Sequence, residues 1–92
     1  MKLLRFTAKW CGPCKAISPT IEKVCQELSL TTEVIDIELP EGIVQATKYN
    51  IRAVPTFVLV YPDGTEISRK VGAGKESEYQ AWLKRDIGHF NQ

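Results

Sequence analysis

Two thiols, Cys11 and Cys14, sit in the run Trp10-Cys11-Gly12-Pro13-Cys14-Lys15, directly after a short apolar stretch. One helical turn separates them, so one sulfur is able to attack while the other waits within closing distance. A thiolate is the nucleophile in such chemistry, and an ordinary cysteine with a pKa near ~8.5 is only a few per cent ionised at neutral pH. Bringing it to about 7 takes roughly 2 kcal/mol, at about 1.36 kcal/mol per unit. A helix N-terminus contributes ~0.3–1 kcal/mol, up to ~2 in partly buried sites. Backbone N–H groups and the Cys14 thiol must therefore add to the stabilisation of the Cys11 sulfur. The pattern predicts Cys11 as an exposed attacker and Cys14 as a shielded resolving thiol. Pro13 limits the flexibility that would dilute their effective concentration. A zinc reading needs four Cys or His ligands. Beyond the pair only Cys25 and His89 remain, so no metal is expected.

These residues need a strand to deliver them and a helix to carry them. Lys2 to Thr7 reads as the strand. Pro13 suits a first helical turn, where its missing N–H costs nothing. Ile17, Ile21, Val24, Cys25 and Leu28 then recur at helical spacing. Pro19 lies inside this helix and is expected to kink rather than end it. A second strand is expected over Thr32 to Ile37, broken by Pro40 and Gly42, with a short helix from about Ile43 to Tyr49. Thr56 to Tyr61 is nearly continuously apolar, as in a strand covered on both faces. Pro62-Asp63-Gly64 signals a turn into a partner strand, Glu66 to Val71. Tyr79, Trp82, Leu83, Ile87 and Phe90 form one stripe of a last helix. The order β-α-β-α-β-β-α predicts a three-layer α/β domain spanning residues 1–92, its first two strands parallel through a right-handed crossover.

The 92 residues carry 12 Lys and Arg against 11 Asp and Glu, a formal charge of +1 with no basic block, so neither nucleic acid nor a membrane surface is an expected partner. No apolar run approaches the roughly 20 residues of a membrane span. The N-terminus is charged too early for a signal peptide. The odd cysteine, Cys25, fits a buried core thiol in a reducing cytoplasm better than a secreted disulfide framework. No GxGxxG fingerprint is present, so electrons must come from another protein or from glutathione.

Together, Phe6, Ala8, Trp10 to Lys15, Pro19, Tyr49, Ile51-Arg52, Val54-Pro55-Thr56, Gly64 and Val71-Gly72 resemble the thioredoxin family over almost the whole chain, Leu3 to about Ile87. The resemblance implies a thioredoxin fold with a central four-stranded mixed sheet flanked by helices. It implies a monomeric protein-disulfide reductase with no cofactor beyond its redox-active disulfide, serving disulfide-containing client proteins and recharged by a flavoprotein thioredoxin reductase. It also implies a cis peptide bond before Pro55, and a Val54 backbone that pairs with an extended substrate. Trp10, Gly12, Pro13, Val54, Pro55, Thr56, Gly72 and Ala73 are the docking residues carried over.

Two departures stand out. The family's usual N-terminal strand and helix are missing, which should leave the second strand as an exposed edge. Where the family has a buried acid that relays protons to the resolving thiol, this chain has Arg5. Asp36 stands where the family often has the acid's lysine partner. Either Arg5 and Asp36 form a charge-swapped buried pair with Asp36 as relay, or Arg5 reaches solvent and the relay is absent. A glutathione-dependent, glutaredoxin-like reductase and an interaction subunit with incidental cysteines are the competing functions. Gly-Pro between the cysteines weighs against the former.

Overall fold

A computed structural model describes the backbone of residues 1–90 and the side chains through Gly88. The order is β1 (Lys2–Thr7), α1 (Gly12–Glu27), β2 (Thr31–Asp36), α2 (Pro40–Lys48), β3 (Thr56–Val60), β4 (Glu66–Val71) and α3 (Glu76–Phe90). The sheet runs β2-β1-β3-β4. β1 lies parallel to β2, with Arg5 opposite Val34 and Thr7 opposite Asp36, and antiparallel to β3.

β1 and β3 are central; β1 is buried from Leu3 to Phe6 and β3 throughout, which is why β3 reads as a nearly continuous apolar run. Alternation along β1 sends Leu3 to one face and Leu4 and Phe6 to the other. Leu3 packs with Ile17, Ile21, Val24 and Cys25 of α1 and with Tyr79, Trp82 and Leu83 of α3. Leu4 and Phe6 pack with Ile35 and Tyr49, on the side where α2 lies. α1 continues through Pro19, as the apolar spacing requires. The Phe90 position of the α3 stripe and the side chain of His89 lie outside the described residues. β2 is an edge strand, with Val34 59% exposed.

The second helix begins earlier than the sequence pattern suggests. Pro40 and Gly42 do not separate β2 from a later helix; Pro40 occupies its first turn, where no N–H is needed, and Leu39 is its N-cap. Gly42 is needed for close approach rather than for a break. A Cβ there would fall 1.7 Å from the backbone oxygen of Asp36. At the hairpin the loop needs Gly64, with φ +91°, while Asp63 Oδ1 accepts the Thr65 N–H at 2.9 Å.

Replacing Gly42 with alanine must move α2 away from the end of β2. Gly42→Ala is expected to lower the unfolding free energy by ~1–3 kcal/mol, the usual range for overpacking. A urea midpoint unchanged from the parent chain would show that α2 moves at no cost.

Candidate active site

The end of β1 and the start of α1 are joined by four residues, Ala8 to Cys11, and this short link fixes the sulfurs. Cys11 is the N-cap of α1, its backbone extended at φ −84° and ψ 99°. Its Sγ accepts the backbone N–H of Cys14 at 3.1 Å. A sulfur thus takes the place of the usual capping oxygen, facing donors the helix cannot pair internally. Cys11 and Cys14 form a disulfide, their Cα atoms 5.3 Å apart.

The expectation of an exposed Cys11 is corrected. In the disulfide form Cys11 is 3% exposed and Cys14 6%, so neither is the open one. The cap turns Cys11 Sγ inward, where Ala8, Ile37 and Val54 pack around the pair. Ile37 was not singled out as a site residue. Its signal lay in strand pairing, because its N–H donates to Thr7 O at 3.0 Å and carries the chain past β2 toward the sulfurs. Trp10 is 67% exposed.

The remaining docking residues divide by accessibility. Gly12, Pro13 and Ala73 are exposed, Val54 and Gly72 half-buried, and Pro55 buried after a cis Val54–Pro55 bond. Thr56 is buried and its hydroxyl donates to Ala53 O at 2.6 Å, so it shapes the loop and does not face a partner. The Gly72 N–H donates to Pro55 O at 2.8 Å, tying the two loops together. Tyr79 fixes the outer loop by accepting the Gly74 N–H at 2.7 Å and donating to Gly72 O at 3.3 Å. Among the described residues the backbone of Val54 makes no hydrogen bond, leaving its N–H and C=O for another chain.

Arg5 and Asp36 are not brought together. Asp36 ends β2, and its Oδ1 accepts the Glu38 N–H at 2.9 Å in the turn that follows. Arg5 lies opposite Val34, two positions back along the strand, and points across to α1. Its Nη2 donates to Ser18 Oγ at 2.6 Å and its Nη1 lies 3.6 Å from Glu22 Oε1. Both the swapped pair and the solvent-reaching alternative therefore fail: Arg5 is 8% exposed and its two Nη groups turn to the helix. Its Nε is buried without a hydrogen-bond partner. Arg5, Cys14, Lys15, Ser18, Glu22 and Pro55 line one cleft of about 160 Å³. Ser18 and Glu22 were legible in principle, since Cys14, Ser18 and Glu22 repeat at four-residue spacing on one helix face.

Cys25 is a free thiol buried in the core between α1 and α3. Burial pushes it up to about 11, opposed in part by the Arg5 charge. Among the described residues no group of three or more His, Cys, Asp or Glu is placed to hold a metal ion, and no helix is long and apolar enough to cross a membrane.

The Thioredoxin family profile matches residues 1–85. Thioredoxin C-2 of Corynebacterium nephridii is 34% identical over 85 residues, which cover 92% of this chain and 78% of that protein. The thioredoxin of Pseudomonas aeruginosa matches with the same identity and coverage. The solved structure of thioredoxin 1 from Thermosipho africanus superposes with a TM-score of 0.84 at 26% identity, covering 100% of both chains.

The buried thiol gives a direct check of the site's layout. After reduction, iodoacetamide at pH 8 should label Cys11 and leave Cys25 unlabelled in the folded chain, because a thiol near 11 is ionised there to about one part in a thousand. Equal labelling of the two would show that Cys25 is not enclosed.

Proposed function

The chain belongs to the thioredoxin family, and from that premise we propose how its residues divide the work of a thiol–disulfide oxidoreductase acting on protein disulfides. The Cys11 thiolate attacks one sulfur of a client disulfide, and the other client sulfur leaves as a thiolate and takes up a proton. Cys14 then loses its proton and attacks the Cys11 sulfur, which releases the second client thiol. Two electrons pass from the dithiol to the client, and the Cys11–Cys14 disulfide is the product form. The observation that carries this assignment is the Cys14 N–H donated to Cys11 Sγ at the start of α1. That bond and the helix terminus favour a charged sulfur at Cys11.

Trp10, Gly12, Pro13 and Ala73 form the outer part of the proposed docking surface, with Val54 offering its free backbone to an extended client. A flavoprotein thioredoxin reductase is the proposed electron donor, with the reducing cytoplasm as the place of action. Gly12-Pro13 argues against direct recharging by glutathione.

Arg5 replaces the family's acid, and its assignment differs from a relay. A guanidinium stays charged and accepts no proton. We assign it as a positioning residue whose charge, in the same cleft as Cys14, favours the Cys14 thiolate during resolution. The proton leaves through the cleft, whose wall includes Ser18 and Glu22. Asp36, held in its own turn, is not assigned a part in proton transfer.

Cys14→Ser should accumulate a covalent client adduct through Cys11, whereas Cys11→Ser should form none and turn over no client. Adducts on non-reducing gels from Cys11→Ser would reverse the assignment. For Arg5→Met, the pH midpoint of mixed-disulfide resolution should rise by about one unit, the lower end of the range for a nearby charge. An unmoved midpoint in stopped-flow traces would remove Arg5 from the reaction.

A further inference from the structure

One edge of the sheet is β2, which is bonded to β1 on one side only. The Ile37 N–H, just past the strand, donates to Thr7 O of β1. Backbone groups of successive residues point to opposite sides of a strand, so Ile35 and Glu33 also face β1. The N–H and C=O of Thr32 and Val34, and the N–H of Asp36, therefore face the open edge. Asp36 O is already taken by the Leu39 N–H at 3.2 Å.

The two sides of this edge differ in charge. On the α1 side, exposed Val34 shares a cleft with Arg5 and Lys15. On the α2 side lies a second cleft of about 230 Å³, where Ile35 and Leu39 meet Glu33, Asp36 and Glu41. Residues 28–47 hold these three carboxylates and Glu38, and no Lys or Arg. Lys2 reaches this flank but is paired with Glu33 at 2.8 Å, and Lys48, at the end of α2, lies over the Tyr49 ring. Asp36, Glu38 and Glu41 make no ion pair among the described residues.

We propose that this edge binds an extended segment of another protein in which Lys or Arg alternates with apolar residues. The segment adds to β2 as a further strand, bonded through Thr32, Val34 and Asp36. Its period of two sends the cations to the α2 side, toward Glu33 and Glu41, and the apolar side chains beside Val34. The sign of the charge selects this occupant. Edge strands are guarded against pairing by charged side chains, and here the guard on the α2 side is wholly acidic. A second copy of the chain brings its own Glu33 and Asp36 to that side and meets like charge. A basic segment meets none there. β2 runs parallel to β1 toward Ile37, which packs on the disulfide, so the docked segment lies along an approach to the reactive end. This docking does not depend on the exchange chemistry.

The probe is a capped peptide alternating Lys and Val, six residues long like β2, added to the disulfide form and followed by amide hydrogen exchange. The Thr32, Val34 and Asp36 amides should slow together, while Glu33 and Ile35, already bonded to β1, keep their rates. At about 20 mM salt a Glu-Val peptide should bind about tenfold more weakly than the Lys-Val peptide, and the gap should close near about 500 mM. Glu38→Gln/Glu41→Gln should narrow that gap at low salt. Val34→Pro should abolish the slowing, and because its N–H faces outward no ladder bond is lost. Two peptides, N-methylated on the Lys or on the Val amides, make the same test on the unaltered chain: only one of them should still bind. Slowing without the alternation, equal binding of the Lys-Val and Glu-Val peptides, or binding by both N-methylated peptides overturns the proposal. No slowing at about 1 mM Lys-Val peptide, the weak end of specific recognition, overturns it as well. A dimer of the chain alone, with the Thr32 and Val34 amides already slow, overturns it in favour of a second copy.

Discussion

One backbone contact organises the reactive end: the Cys14 N–H donated to the Cys11 sulfur at the first turn of α1. A helix leaves its first N–H groups unpaired, and burial of that end makes a partner obligatory. Cys11 supplies the partner with a sulfur, so satisfying the helix and holding the nucleophile are the same interaction. The four-residue link from β1 leaves little freedom in where that sulfur lies. It also means the reactive turn is anchored by the most deeply buried parts of the fold. β1 is clamped between β2 and β3, and α1 is fixed by Ile17, Ile21, Val24 and Cys25.

The loops that complete the site are secured by different means. No strand ladder reaches Val54 or Ala73, so side chains and single backbone bonds hold them. Thr56 closes on Ala53, Gly72 on Pro55, and Tyr79 grips Gly72 and Gly74 from the buried side of α3. This arrangement keeps the Val54 backbone out of internal hydrogen bonds without leaving the loop free to collapse over the disulfide. The stripe of α3 that looks like simple core, with Tyr79 at its head, is therefore coupled to the docking surface through one hydroxyl.

Much of this was legible from residue spacing. The β1 and β4 bounds, the parallel crossover, the buried β3 and the core face of α1 follow from periodicity and turn chemistry, which act locally. What escaped was set by contacts between elements. Pro40 and Gly42 read as a break, because the close approach of α2 to Asp36 is invisible in one dimension. The burial of Cys11 depends on Ile37 and Val54 arriving from two other segments. Thr56 looked like a contact residue because it adjoins Pro55, yet β3 is covered on both faces and its hydroxyl is taken by Ala53 O. The Arg5–Asp36 pairing failed through register: a parallel strand sets Val34, not Asp36, beside Arg5, and Ser18 and Glu22 on the helix above are nearer partners.

Arg5 then changes the balance of the site in a definite direction. A buried guanidinium is costly unless its charge and its donors are met. Here Ser18 meets one donor, Glu22 meets the charge from a largely solvated position, and Nε is left without a partner. The disulfide is uncharged and contributes nothing to this deficit. On the assignment proposed above, opening it in the same cleft frees the Cys14 sulfur, whose thiolate is a second anion for Arg5 to face beside Glu22. A buried acid at this position works in the opposite sense, since its own charge opposes the thiolate and is relieved by taking the proton. In the proposed assignment, exchanging acid for Arg5 replaces proton acceptance with charge stabilisation. On the same assignment, the proton from Cys14 leaves by the cleft, because a guanidinium cannot take it up.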